Sequence, residues 1–268
     1  MYYSKMERRS IQWNTDAGTD FMRVVDKIFA IIEELSRGNL GVSELSRLTG
    51  LSKSTVHNNL SGLVDLGYVS KDSRGRYQLT YRFVSLSQRF LAQVRDVEVV
   101  RPIIKELSEE TQATVHFGVL DRDCIVYVEK VDSPRPVRMA SYIGKRIPLH
   151  CTALGKAALA FLPPDEASKI LDKCDMQERT SNTITEREEL VRQLEEIRKV
   201  GYAVDNEENE EGIRCIAAPV FGYEGVSIAA VSISDLLFHY KDNDIAKKAE
   251  QVMKAASGIS EGLGVRNP

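Results

Sequence analysis

The sequence is poor in cysteine and contains no CxxC pair. Its 268 residues include four cysteines, scattered from position 124 onward: Cys124, Cys151, Cys174 and Cys215. Disulfide frameworks and structural zinc sites need closely spaced cysteines, and the four histidines show no metal-ligand spacing either. We therefore expect reduced, mostly buried thiols, no metal site and no redox chemistry.

Long apolar runs are also missing. No stretch approaches the roughly 18 apolar residues that a membrane span requires. Residues 1–20 are polar and lack the apolar core of a signal peptide. We expect a cytoplasmic protein that contacts no membrane, with residues 1–20 forming a flexible leader. The length fits one or two domains.

Two common catalytic motifs are absent as well. The sequence has no HExxH and no GxxxxGK[ST] pattern. We predict no enzymatic activity, no catalytic residue and no cofactor. One alternative stays open, because a cysteine and a histidine need only meet in space to form a nucleophile: Cys151 or Cys215 with His116 or His150.

The charge is distributed unevenly along the chain. The whole chain has a net charge of −3, whereas residues 21–85 contain nine Lys/Arg and six Asp/Glu, a net of +3, which leaves −6 for the rest. A basic segment in an acidic chain indicates contact with a polyanion.

Three helices are predicted at the start of this basic segment. Apolar residues at helical spacing over 21–35 indicate the first helix, which Gly38 would end. Ser43 is placed to cap a second helix, Gly50 to end it and Ser52 to cap a third. Four apolar residues of the third helix are predicted to face inward: Val56, Leu60, Leu63 and Val64.

Two short strands follow, at 68–70 and 76–79, around a turn at 72–75. A helix, a helix-turn-helix and a hairpin make up the winged arrangement. The third helix has a polar face opposite its apolar stripe: Ser54, His57, Asn58 and Ser61.

This polar face suits the major groove of DNA, where Asn can pair with adenine and Ser, Thr and Lys reach phosphates. Two arginines at the wing are placed to contact the DNA backbone or the minor groove. The predicted DNA-contacting residues are Ser43, Ser52, Lys53, Ser54, Thr55, His57, Asn58, Arg74 and Arg76. The alternative is a winged helix that contacts another protein.

The rest of the chain alternates between helices and strands. An apolar stripe from Phe83 to Val94 predicts a linker helix that reaches Asp96, and Pro102 is predicted to start the next helix. A helix is expected at 152–162, then two charged helices, and a last helix after Asp242. The predicted strands lie near 114–119, 125–131, 137–143, 215–221 and 226–234. This order indicates a mixed α/β domain with antiparallel hairpins.

One strand face of this domain is polar. A turn at 222–225 would place Cys215 level with Ser232, and Ser232 and Ser234 share a face. Asp205 follows an apolar stretch and is predicted to point inward, whereas most acids of the run 205–211 are expected to be solvated. Such a face fits a ligand pocket or a hydrogen-bonded core equally well.

The N-terminal motifs resemble a known family. The runs VSELSRLTGLSKSTVH (42–57), LGYV (66–69) and YQLT (77–80) are similar to the DNA-binding domain of the IclR family of transcriptional regulators. One departure is Asn58-Asn59, where related proteins commonly have Arg and an apolar residue. This departure implies a different operator sequence and weaker phosphate anchoring by the third helix.

The C-terminal motifs GKRIPL (144–149), TALGKA (152–157), EGIRCIA (211–217) and VSIS (231–234) resemble the effector domain of the same family. The resemblance implies an α+β protein with a winged helix-turn-helix at 21–82, a linker helix at 83–98 and a GAF-like effector-binding domain with an antiparallel sheet at 99–265. It implies a homodimer or a dimer of dimers, and either a repressor or an activator.

The resemblance also assigns an effector site. The matching positions are Met139, Ile147, Ala153, Leu154, Asp205, Cys215, Ser232 and Ser234. The N–H groups of Ala153 and Leu154 would hold an anionic group, because a helix N-terminus attracts negative charge. The implied effector is a small carboxylate or sugar acid, most similar to 2-keto-3-deoxygluconate, and the implied target is a sugar-acid catabolic operon.

Overall fold

The structure, a computed structural model, describes residues 24–91, 96–136, 139–222, 225–240 and 244–264. The chain divides into two compact units, Met1–Gln93 and Val94–Pro268. Within the described residues, no helix is long and apolar enough to cross a membrane.

The N-terminal unit has four helices and a two-stranded antiparallel sheet in its described part. They are α1 (Val24–Ser36), α2 (Val42–Thr49), α3 (Lys53–Asp65), β1 (Val69–Lys71), β2 (Tyr77–Leu79) and α4 (Arg82–Leu91). The predicted helix-turn-helix followed by a hairpin is confirmed. Phe21 and the leader at 1–20 lie outside the described residues.

Two of the predicted helix caps, Gly50 and Ser52, are confirmed. Gly50 ends α2 in the left-handed conformation with φ of 72°, and the Ser52 side chain accepts a hydrogen bond from the Thr55 N–H at 3.1 Å. The prediction that Ser43 caps α2 is wrong. The N-cap is Gly41, two residues earlier, and the Glu44 carboxylate accepts its N–H at 2.8 Å, which satisfies that end from within the helix.

A small apolar core holds the helices and the hairpin of this unit together. It is built from Ile31, Leu35, Leu45, Val56, Leu60, Leu63, Val69 and Tyr77. The inward orientation of Val64 was a wrong prediction, since this residue is 37% exposed. Val64 lies at the edge of the α3 stripe, about 75° around the helix from the centre of the three buried residues at 100° per residue.

The C-terminal unit is a six-stranded antiparallel sheet with helices on both faces. Its elements are α5 (Asp96–Thr111), β3 (Thr114–Asp121), β4 (Cys124–Val131), β5 (Arg146–Pro148), α6 (Ala153–Ala160), α7 (Pro164–Leu171), α8 (Arg187–Val200), β6 (Ala203–Asn206), β7 (Ile213–Phe221), β8 (Ser227–Leu236), a 3-10 turn (Leu237–His239) and α9 (Asp244–Gly262). The strand order is β5-β4-β3-β8-β7-β6. The predicted α+β class is confirmed.

Two local predictions in this unit are wrong. Pro102 does not start a helix, because it lies inside α5. The buried residues Val100, Ile104 and Leu107 anchor α5 on both sides of this proline, so packing offsets its missing N–H.

The strand predicted at 137–143 is also absent over its described part, 139–143, while residues 137–138 lie outside the described residues. This segment forms a loop that turns at Gly144, whose φ is 91°. The loop binds back to one residue of β4: the Gly144 N–H donates to the Tyr127 carbonyl at 2.7 Å, and the Tyr127 N–H donates to the Lys145 carbonyl at 3.0 Å.

The two sheet faces differ in what covers them. Ala229, Val231 and Ile233 of β8 pack in one core with α5 and α9, whereas Ala230 packs in the other core with α6 and α8. Side chains alternate along a strand, so Ser232 and Ser234 lie on the α6 face together with Ala230. This α6 face of the sheet holds the polar side chains described next.

Candidate DNA-binding and effector sites

The outward face of α3 is exposed and polar, as predicted. Lys53, Ser54, His57, Asn58 and Ser61 are all exposed, while the opposite side of the helix is anchored in the core. The first turn contains no acidic residue. The face therefore presents hydrogen-bonding groups and a positive helix N-terminus, both of which suit a nucleic acid.

Asn58 and Asn59 differ in what their side chains do. Asn58 is exposed, whereas the Asn59 amide donates to the Thr55 carbonyl at 3.0 Å and is partly buried. Of this pair, Asn58 is therefore the side chain presented to a ligand.

The two wing arginines also differ. Arg74 is exposed at the turn between β1 and β2, whose shape is held by Asp72 accepting the Arg74 N–H at 2.9 Å. Arg76 donates to the Asn39 carbonyl and lies 3.1 Å from the Glu44 carboxylate. Arg76 thus ties the wing to the body of the unit, and Arg74 is the more available cation.

Four of the eight predicted effector residues lie on the adjacent strands β6, β7 and β8: Asp205, Cys215, Ser232 and Ser234. In the register, Asp205 pairs with Cys215, Cys215 with Ser234, and Ser232 with His116. Asp205 is 3% exposed, which confirms its predicted inward direction.

The predicted pairing of Cys215 with Ser232 is wrong by two residues. The hairpin pairs Phe221 with Ser227, so its turn is one residue longer than expected. A bulge next to Val220 adds one more residue, Ile228, on β8. Together these two changes bring Ser234, rather than Ser232, opposite Cys215.

A chain of hydrogen bonds crosses this polar end. Ser234 Oγ lies 3.1 Å from Cys215 Sγ and 3.4 Å from His116 Nδ1, and His116 Nε2 lies 2.8 Å from Ser141 Oγ. The His116 ring stacks on Tyr127 at 4.4 Å. Burial lowers the pKa of His116 to about 3, so the imidazole is neutral at physiological pH.

His116 and Tyr127 were missed by the sequence reasoning as site residues. The signal was present in β3, where Thr114 and His116 alternate with the buried apolar residues Val115 and Phe117. Only the pairing of His116 with Ser232, which the structure provides, places it beside the predicted effector residues.

Asp205 is held by the turn that follows its strand. One carboxylate oxygen accepts the N–H groups of Glu208 at 2.8 Å and Asn209 at 3.4 Å. Burial, together with the nearby charge of Glu208, raises the pKa of Asp205 to about 7. Near neutral pH the carboxyl group can therefore hold a proton, and in that form it donates as well as accepts.

The prediction of a solvated acidic run fails for Glu208, which is buried. Its Oε1 atom lies 2.5 Å from Nζ of Lys156, a residue of α6 with 0% exposure. Oε2 of Glu208 has no hydrogen-bond partner within the described part of the chain. The charge of Lys156 accounts for the burial of this acid, because an unpaired buried charge is costly.

The first turn of α6 leaves two N–H groups without an acceptor among the described residues. Thr152 Oγ1 accepts the Gly155 N–H at 3.1 Å, and among the described residues no group accepts from the N–H of Ala153 or Leu154. A Cβ on Gly155 would lie 2.4 Å from the Leu149 backbone, so only glycine allows this approach.

The two remaining predicted residues have apolar side chains. Ile147 is buried in β5, pairs with Ile125 and packs in the core beneath α6. Met139 is half-buried in the loop, and its carbonyl accepts from Lys130 Nζ at 3.4 Å. Both fit an apolar wall better than a polar contact.

The thiols do not form a catalytic nucleophile. Burial raises the pKa of Cys151 to about 12 and that of Cys215 well above its usual value, whereas reactivity requires the thiolate. Ser234 stands between Cys215 and His116. No group of three or more metal-ligating side chains occurs in the part of the chain that the structure describes.

Both units match models of known domains. Residues 24–73 match the IclR helix-turn-helix domain, and residues 88–261 match the domain described as bacterial transcriptional regulator IclR C-terminal. The chain belongs to the IclR family. It is an IclR-type transcriptional regulator with a DNA-binding helix-turn-helix and a small-molecule effector domain.

Several IclR relatives resemble this chain over most of its length. The HTH-type transcriptional regulator KdgR of Escherichia coli (strain K12) is 39% identical over 251 residues, which cover 93% of this chain and 95% of KdgR. The DNA-binding transcriptional repressor YiaJ of the same strain is 35% identical over 240 residues, covering 87% and 85%. The crystal structure of Thermotoga maritima IclR is 32% identical, with a TM-score of 0.75 and coverage of 91% and 100%.

These IclR relatives are regulators rather than enzymes, which confirms the predicted function as a transcriptional regulator. The Cys–His alternative is not supported, since burial raises the pKa of both candidate thiols and Ser234 lies between Cys215 and His116.

Proposed function

We propose that this IclR-family chain is a repressor of a sugar-acid catabolic operon and that a hydroxylated carboxylic acid of the 2-keto-3-deoxygluconate type releases it from DNA. The observation that carries the proposal is the packing of α6 on β6, β7 and β8, the strands that contribute Asp205, Cys215 and Ser234. Among the described residues, the first-turn N–H groups of this helix, at Ala153 and Leu154, have no hydrogen-bond acceptor. Similarity to KdgR and to the repressor YiaJ supports it.

The two parts of this site suit the two parts of such an acid. The α6 N-terminus offers N–H groups to a carboxylate, while hydroxyls and a thiol suit the remainder of the molecule. Met139 and Ile147 would supply the apolar wall.

On the DNA side, the proposal uses α3 and the wing. Lys53, Ser54, His57 and Asn58 would enter the major groove, and Arg74 would contact the backbone. Ser43 and Thr55 would add phosphate contacts, while Ser52 and Arg76 would act through the cap and the anchored wing described above. A homodimer, or a dimer of dimers, would place two α3 helices on a pseudo-palindrome in the cytoplasm. The domain limits 21–82, 83–98 and 99–265 belong to the same proposal.

Salt dependence tests the DNA part. Double-stranded DNA recovered by the full chain from a randomised pool is labelled, and its affinity is measured by anisotropy at several salt concentrations. Because each lost phosphate contact reduces the log–log slope by about 0.9, the double variant Lys53→Ala/Arg74→Ala should flatten it by roughly 2. The control removes two exposed lysines of the other unit, Lys173 and Lys254.

An unchanged slope in Lys53→Ala/Arg74→Ala would contradict this docking. If the full chain showed no salt-dependent affinity for any DNA, the winged helix would instead be a protein-contact module.

For the effector part, the labelled complex is titrated with a panel of keto and sugar acids. Release by none of them would overturn the proposed effector class.

A further inference from the structure

The Tyr127 side chain brings an unused hydroxyl to the polar end of the sheet. Among the described residues, no group forms a hydrogen bond with its phenol oxygen. Tyr127 is half-buried, and burial raises the pKa of its phenol, with a further contribution from Cys215 and Asp205. A protonated phenol that no protein group engages is available to donate to a ligand.

His116 connects Ser141 and Ser234 through one hydrogen bond at each ring nitrogen, and both bonds can reverse their donor and acceptor. We call this connection the His116 relay. If Nδ1 has the proton, it donates to Ser234 Oγ, and the Ser141 hydroxyl donates to Nε2. If Nε2 has the proton, both bonds reverse. Ser234 can therefore meet a ligand as a donor or as an acceptor without a change in net charge.

These groups are all uncharged at neutral pH. The imidazole of His116, the phenol of Tyr127, the thiol of Cys215 and the hydroxyls of Ser234 and Ser141 offer donors and acceptors but no ion. A ligand group that complements these side chains must donate and accept hydrogen bonds without carrying a charge. Hydroxyl groups on the effector meet this requirement, whereas methylene groups would leave the buried donors unpaired.

We propose that the Tyr127 hydroxyl and the His116 relay are the specificity-determining groups of the effector site and select a polyhydroxylated carboxylic acid over an acid of equal length with an unsubstituted carbon chain. The inference rests on the proposed effector class. The α6 N-terminus would bind the carboxylate of either acid equally well. Tyr127 and His116 would then distinguish the two acids by their carbon chains.

The test uses two probes that share a six-carbon chain and a 2-oxo carboxylate, 2-keto-3-deoxygluconate and 2-oxohexanoate. Calorimetry on the full chain measures both affinities. Wild type should bind the hydroxylated acid at least about tenfold more tightly, since a site built to bind hydroxyls rejects an analogue that lacks them. Tyr127→Phe retains the ring that stacks on His116, and it should reduce this ratio about tenfold.

Two further variants sharpen the result. His116→Phe retains an aromatic ring beside Tyr127, loses the relay and should also reduce the ratio. Tyr142→Phe is the matched control, because Tyr142 is exposed in the neighbouring loop and should leave the ratio unchanged.

The possible outcomes separate this inference from the proposed function. Equal affinity of wild type for both probes, or an equal loss for both in Tyr127→Phe, would overturn the role of Tyr127 and leave an acid-binding site in place. If wild type bound neither probe, the proposed effector class would fail and this inference with it.

Discussion

Asp205 lies inside the C-terminal unit, where its carboxyl group accepts two backbone N–H groups of the following turn. Because burial raises its pKa from 3.8 to about 7, the folded chain keeps this proton between those pH values while the unfolded chain has lost it. A native state that binds more protons than the unfolded state loses stability as pH rises. The contribution of Asp205 is thus greatest below its unfolded pKa and is lost as pH rises through about 7.

We expect Asp205→Asn to remove this pH-dependent part of the stability, while its amide oxygen still accepts the turn N–H groups. As pH rises from 4 to 7, the unfolding free energy of wild type should therefore fall by a few kcal/mol relative to that of the variant, at about 1.4 kcal/mol per pKa unit. Urea unfolding at a series of pH values measures the difference. Asp175→Asn, at an exposed position, is the control. A constant difference between Asp205→Asn and wild type would show that this carboxyl group is already ionised in the folded chain.

Some residue roles were predictable because they depend on local chemistry. The cap at Ser52 and the helix end at Gly50 follow from side-chain and φ preferences that act within a few residues. The pairs Lys156–Glu208 and His116–Ser234 join positions far apart in sequence, and only the tertiary fold brings them together. Without it, Glu208 looked like one more acid of a solvated run.

One close backbone contact fixes the start of α6 in the C-terminal unit. The start of α6 lies against the backbone of Leu149, and the missing side chain of Gly155 allows this contact. The same turn presents the N–H groups of Ala153 and Leu154. Position 155 therefore governs both the packing of the helix and the geometry of its N-terminus.

Gly155→Ala should be strongly destabilising, by about 2 kcal/mol or more, because the new Cβ meets rigid backbone atoms at 2.4 Å. Gly62→Ala is the matched control in α3, where nothing lies within 4 Å of the added Cβ. That variant should stabilise the N-terminal unit by roughly 0.5–1 kcal/mol through helix propensity. Denaturant unfolding compares them, and equal effects at the two positions would contradict the close approach.

Element types were predictable from periodicity, whereas details of pairing were not. The strands at 114–119 and 125–131 were found nearly in full, since apolar residues and a tight turn mark them. A bulge and one extra turn residue displaced the partner of Cys215 by two positions, and neither has a clear sequence signal. The site was therefore predicted as a face but not as a set of contacts.

At the scale of the whole molecule, DNA binding and effector binding must be coupled if the regulator responds. An effector that weakens DNA affinity by some factor is itself bound more weakly, by the same factor, when DNA is present. The coupling arises only if the effector binds the DNA-competent and DNA-incompetent states with different affinity.

The double variant Ser232→Ala/Ser234→Ala should lose the effector response and retain DNA affinity. Both hydroxyls lie on the α6 face of the sheet, while α3 belongs to the other unit. A gel-shift titration with 2-keto-3-deoxygluconate measures both properties, and Ser227→Ala, a buried serine at the other end of β8, is the control. An unchanged response would rule out these serines as effector contacts, and a loss of DNA affinity would show that their role is not confined to the effector.

Cys215 has a consequence for the kind of signal that this regulator can receive. A thiol in a sensing site would ordinarily make the sensor vulnerable to peroxide, because the thiolate is the form that oxidants attack. Burial keeps Cys215 protonated, and Ser234 lies hydrogen-bonded to its sulfur. If this end of the sheet binds the effector as proposed, the Cys215 sulfur serves there as a neutral contact rather than as a thiolate that oxidants attack, and the response to the effector is then separate from oxidative stress.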